Sequence, residues 1–160
     1  MKALIVYYSM GGRTKKTALA IASELSKYEV TFVGIKLPGN FIERIKVFDD
    51  FEKGNFSLIE EELNSLDAAN FDLVFFGMPT YGNKPPGTFE EIMKRMKNFS
   101  GKKVVNFTTA RFTGKGTLEY MKERIEKEGA QVINQYNFRR FFWLGKRRAI
   151  KFGKEINDLQ

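Results

Sequence analysis

The sequence contains no cysteine and no histidine. Without cysteine there is no disulfide, no thiolate nucleophile and no cysteine-bound iron–sulfur or zinc centre. That composition fits a reducing cytoplasm, which is the expected localisation. Without histidine, the commonest metal ligand and the commonest general base near neutral pH are both missing. Serine–histidine and cysteine–histidine catalysis are excluded, and a cofactor is the expected carrier of any chemistry. Long apolar runs are missing too. None approaches the roughly 20 residues that span a bilayer. The opening "MKALIVYYS" is too short for a signal peptide and has no small-residue cleavage site, so it reads as a buried first strand. Acid is missing from one stretch. Residues 139–154 carry Arg139, Arg140, Lys146, Arg147, Arg148, Lys151 and Lys154 and no Asp or Glu. They account for nearly all of the net charge of +8. The excess is therefore a property of one surface and not of the fold.

What is present is a chain of 160 residues, the size of one domain, without repeats, low-complexity segments or internal linkers. Ala3–Tyr8 is a continuous apolar run, the mark of a strand buried on both faces. Ala18, Ile21, Ala22 and Leu25 recur at helical spacing and predict a helix of about four turns. A strand follows over Val30–Leu37. Phe41–Asn55 is ambiguous, with short helical turns expected. Ser57 with Glu60 three residues on predicts a capped helix to about Leu66. Asp72–Gly77 is a third strand. Thr88 with Glu91 predicts a capped helix to about Asn98. Lys103–Thr108 is a fourth strand, Thr117–Glu128 a helix ended by Gly129, Ala130–Phe138 a fifth strand and Arg147–Leu159 a last helix. Strands alternating with helices at this rhythm predict an α/β fold, a doubly wound five-stranded parallel sheet with helices on both faces. Ligands of such sheets sit beyond the carboxyl ends of the strands, where the winding reverses.

Three loops follow strands one, three and four. In "SMGGRT", Gly11 and Gly12 allow a tight turn and close approach, Ser9 and Thr14 add hydroxyls, and Arg13 and Lys15 add charge. Successive N–H groups opening a helix form an anion nest, so the expected ligand is a phosphate. Neither G-x-x-x-x-G-K-[ST] nor G-x-G-x-x-G is present. "TGKGT" at 113–117 imitates a P-loop but has Gly116 where Ser or Thr is needed. Loop chemistry alone leaves a second reading open, a turn that binds nothing.

Taken together, "SMGGRT", "FFGMPTYGN", "VVNFTTARFTGKG" and the late "AIKFGKEI" resemble the flavodoxin family over essentially the whole chain. The resemblance implies FMN. Ser9, Met10, Gly11, Gly12, Arg13 and Thr14 would hold its phosphate. Tyr81 would flank one face of the flavin ring and Phe112 the other. Gly82-Asn83 sits where a peptide flips on one-electron reduction in the family. Pro79, Thr80, Thr109, Ala110, Arg111 and Gly114 complete the implied set. The implied function is an electron-transfer protein that shuttles single electrons through a flavin semiquinone. Two other functions stay open. One is a flavodoxin-fold oxidoreductase of the NAD(P)H:quinone reductase or protoporphyrinogen dehydrogenase type, and the other is a module that has lost FMN. Many flavodoxins carry an acid shortly after the third-loop aromatic; this chain has Gly114 and Lys115, with Arg111 before the aromatic. A cation there is expected to stabilise the reduced flavin anion.

Phe138–Arg148, "FRRFFWLGKRR", interleaves aromatics with cations. Its aromatics either cap the core or form a docking surface. The expected partner is an acidic redox protein docking near the flavin and the basic 139–154 segment, with an anionic membrane surface carrying a quinone as the alternative. No nucleic-acid motif is present, and no nucleic acid is expected.

Overall fold

β1 (Lys2–Ser9) is buried from Ala3 to Ser9, because it has a neighbour on each edge and helices on each face. The other strands are β2 (Glu29–Lys36), β3 (Leu73–Pro79), β4 (Lys103–Ala110) and β5 (Gln131–Arg139). They form one sheet in the order β2-β1-β3-β4-β5, parallel throughout. In this computed structural model the described residues are 1–139 and 144–159. Arg140 and the aromatic run Phe141–Trp143, on which part of the docking expectation rests, lie outside them.

Alternation along each strand divides the core in two. Ile5, Tyr7, Phe75 and Phe107 face α1 (Arg13–Ala22) and α6 (Leu144–Asp158), meeting Ala18, Ile21, Phe152 and Ile156. Leu4, Val6, Tyr8 and Phe76 face the other side, under α2 (Phe41–Glu52), α3 (Glu60–Asn64), α4 (Thr88–Arg95) and α5 (Lys115–Lys127). A right-handed crossover that moves toward β2 must use one face, and those that move toward β5 must use the other. The direction reverses between β1 and β3, which opens a crevice at their carboxyl ends.

The expected architecture is present, and the differences are local. α1 ends at Ala22, about a turn earlier than the periodicity predicts, and Leu25 is buried from the turn that follows. Phe41–Glu52 is a single helix instead of short turns. Asn40 Oδ1 accepts from the N–H groups of Ile42 and Glu43, and Glu43 Oε2 accepts from the Asn40 N–H at 2.6 Å. That reciprocal capping box nucleates α2. The box expected at Ser57 and Glu60 does not form. Ser57 Oγ donates to Asn55 Oδ1, and a short 3-10 turn (Ser57–Ile59) leads into α3. Thr88 is likewise the first residue of α4 and not its cap, and its hydroxyl is buried without a partner among the described residues. Among the described residues no helix is long and apolar enough to cross a membrane.

Candidate functional site

The chain leaves β1 at Ser9 and turns through Met10, Gly11 and Gly12 into α1. Gly12 has φ 80°, the left-handed conformation that glycine adopts without strain. The N-cap residue of α1 is Gly12, which has no side chain with which to cap the helix. The first N–H groups of a helix have no intrahelical acceptor, so this edge presents donors. The Lys15 N–H reaches Ser9 Oγ at 3.4 Å, which leaves the hydroxyl proton of Ser9 for another acceptor. Thr14 Oγ1 lies 2.9 Å from Thr109 Oγ1 and ties the first loop to the third. A Cβ added at Gly11 would meet nothing within 4 Å, so the turn faces open space.

The second loop is a tight hairpin. Gly82 and Asn83 both have positive φ, 54° and 69°, as a type I′ turn requires. The Tyr81 N–H donates to the Lys84 carbonyl at 2.8 Å and the Lys84 N–H to the Tyr81 carbonyl at 3.0 Å. The hairpin is fastened to the third loop. The Thr80 N–H donates to the Thr109 carbonyl, Thr80 Oγ1 lies 2.9 Å from Thr108 Oγ1, and the Asn83 amide packs directly on Gly116. Any Cβ at Gly116 would strike that amide, which explains a glycine where a P-loop would carry a hydroxyl.

Between the loops lies a groove of about 300 Å³. The first loop contributes Ser9, Met10, Gly11, Arg13 and Thr14, the second Pro79, Thr80 and Tyr81, and the third Thr109 and Arg111. Gly12, Gly82, Asn83, Ala110 and Gly114 are not among the described residues that line it. Phe112 is not brought to the groove. It is 75% exposed, with the Arg111 guanidinium 5.5 Å from its ring centre. Lys115 also stands off the lining, near Glu119 at 3.8 Å. Arg111 is therefore the third-loop cation at the site.

Two lining residues come from α2, Phe41 and Arg44. Arg44 Nη1 donates to the Met10 carbonyl at 3.1 Å, and its Nε is buried with no hydrogen-bond partner among the described residues. Among the described residues the groove thus carries Arg13, Arg44 and Arg111 and no carboxylate. Phe48, also on α2, holds the Tyr81 ring edge-on at 5.5 Å. Burial raises the Tyr81 phenol above its ordinary value. Burial, aided by Tyr81 and Glu52, does the same to Tyr8 beneath it. Both hydroxyls stay neutral at physiological pH. Among the described residues no cluster of acids could hold a metal ion.

No family model and no curated protein matches the chain. Solved structures do. A flavoprotein in complex with FMN from Lactobacillus acidophilus is 26% identical, with a TM-score of 0.61 over 85% of this chain and 92% of that one. A flavodoxin from the domain Archaea is 20% identical, with a TM-score of 0.63 over 99% and 98%. Flavodoxin 2 from Bacillus cereus, also 20% identical, has a TM-score of 0.62 over the whole of both chains. The fold is that of the flavodoxins. Within this flavodoxin fold the groove lies at the winding reversal between β1 and β3, flanked by the loops after β1, β3 and β4. Sequence reasoning found those loops and missed α2. The signal was there: "NFIE" at 40–43 is an N-cap followed three residues on by Glu, and it places Arg44 one position beyond the box.

Proposed function

We propose that this protein binds FMN in the switch-point groove and works as a one-electron carrier. The observation that carries the reading is the convergence of three strand-end loops on one groove. One end of it offers a helix N-terminus with glycine as its N-cap and buried hydroxyls, and the other a tyrosine held by packing. The donor set fits a phosphate dianion. The start of α1 borders the groove through Arg13 and Thr14, Ser9 has a hydroxyl proton to give, and Thr14 can donate while it accepts from Thr109. Arg13 and Arg44 neutralise charge. Tyr81 supplies an apolar wall whose position Phe48 fixes. Bound FMN would supply the electron chemistry that a chain without histidine or cysteine cannot. An FMN complex on the same fold in a 26%-identical flavoprotein supports the assignment.

The partner we propose is an acidic redox protein. Arg139 and Lys146 stand on the side of Arg13 away from the groove, so a basic surface runs up to the flavin site. Phe41, Ile42 and Ile45 add an exposed apolar face at the groove's edge. Purified protein mixed with FMN should take it up one to one, and riboflavin should bind far more weakly. Failure to bind FMN overturns the reading. Steady NAD(P)H consumption by the protein alone would instead make it an oxidoreductase.

A further inference from the structure

α2 adds to the switch-point groove a wall that no strand-end loop supplies. Arg44 and Phe48 are one helical turn apart and share a face of it. Arg44 donates to the first loop, at the Met10 carbonyl, and Phe48 packs on the second, against Tyr81. That contact satisfies Phe48, but one carbonyl does not satisfy Arg44. A guanidinium has five N–H donors and always carries its charge. Among the described residues the Met10 carbonyl is the one acceptor that Arg44 reaches, no carboxylate pairs with it, and its Nε is buried without a partner. Arginines on the neighbouring helices are different. Arg95 on α4 meets Glu60 and Glu91, and Arg124 on α5 meets Glu90 and Glu128. Holding a carbonyl needs a donor but not a charge. A half-buried cation with spare donors and no counter-charge is costly unless an anion joins it. Ser9, Gly11 and Thr14 line the same groove and bring hydroxyls and open backbone, but no negative charge.

We infer that Arg44 is the specificity-determining residue of the groove: it pairs with the phosphate of the ligand and so selects FMN over the unphosphorylated flavin. The inference rests on the FMN reading of the groove. Nη1 stays on the Met10 carbonyl while the spare donors meet the phosphate, so one side chain both recognises the anion and holds the loop that binds it. Hydrogen bonds between a guanidinium and a phosphate are charge-assisted and among the strong ones. Riboflavin leaves the cation without its counter-charge, and that penalty is the source of the discrimination. A lysine at 44 would keep the charge but lose the planar set of donors.

The test is a pair of fluorescence titrations, one with FMN and one with riboflavin, on the full chain and on Arg44→Ala, Arg44→Gln and Arg44→Lys. Arg44→Ala should lower FMN affinity by roughly tenfold or more and leave riboflavin affinity unchanged, so the preference for FMN falls by the same factor. Arg44→Gln keeps a donor for the Met10 carbonyl without the charge. It should lose the preference as Arg44→Ala does, and it carries the comparison if the alanine variant does not fold. Arg44→Lys should recover part of the preference. Equal losses of both ligands overturn the inference, because they mark a residue that only supports the first loop. An unchanged preference in Arg44→Gln overturns it too. Unaltered protein that fails to bind FMN at all overturns the FMN reading, and this inference with it; that outcome is visible before any variant is made.

Discussion

Arg44 is the residue on which the electrostatics of the site turn. Its guanidinium donates to the Met10 carbonyl, and its buried Nε has no partner among the described residues. An unmade charge-assisted hydrogen bond in a buried position costs about 1–3 kcal/mol, so a ligand that supplies the acceptor recovers it. Arg44→Ala should weaken FMN binding by roughly 10- to 100-fold, measured by fluorescence titration. Unchanged affinity would show that Arg44 serves only to hold the loop. Arg111 also lines the groove. A cation beside the flavin favours its reduced anionic form. Arg111→Ala should therefore make the more negative flavin potential more negative still, while Lys115→Ala, off the lining, should leave it in place. A redox titration of both variants separates them.

At the scale of elements, α2 and α6 show how packing sets what a helix does. The Asn40–Glu43 box fixes where α2 begins, and that start places Arg44 and Phe48 at the site. Asn40→Ala should cost about 1 kcal/mol of stability in urea denaturation. It should also weaken FMN binding, although Asn40 does not line the groove. In α6 two glycines behave oppositely. A Cβ on Gly153 would come within 2.5 Å of the Ile21 carbonyl oxygen of α1, whereas one on Gly145 would meet none of the described residues within 4 Å. Gly153→Ala should destabilise the protein by about 1–3 kcal/mol through forced separation of the two helices. Gly145→Ala should be neutral or stabilising by up to about 1 kcal/mol. Equal effects would refute the close helix contact.

For the whole molecule, the lack of histidine leaves no side chain that titrates between the carboxylates and the amines. Stability should be nearly flat from about pH 6 to 9. Above about pH 10 it should fall. Burial raises the phenols of Tyr7, Tyr8, Tyr28 and Tyr81 in the folded state. The unfolded chain releases those protons first, binds fewer of them, and is favoured as pH rises. On the acid side, a hydrogen bond from Asn98 and another from the Ala69 N–H hold Asp67 below its ordinary value. Its contribution is present above the unfolded value and lost as pH falls through the folded one. Denaturation midpoints across this range check both limbs, and a sharp change near pH 6.5 would contradict them.

The sequence by itself determined the five strands, the parallel sheet and the three loops at its carboxyl edge. Continuous apolar runs can be satisfied only by strands covered on both faces, and short loops rich in glycine, serine and threonine follow three of them. Its lack of cysteine and histidine also made a cofactor the expected carrier of any chemistry. Tertiary structure decided the rest. Ser57 and Thr88 carry the local pattern of caps, yet packing places Thr88 inside its helix and sends Ser57 to Asn55. Phe112 reads as a stacking ring, but the third loop turns it to solvent against Arg111. Arg44 is 34 residues from Met10 in sequence and 3.1 Å from it in space. No local period encodes that contact, because it exists only when the crossover from β2 to β3 lays α2 over the sheet.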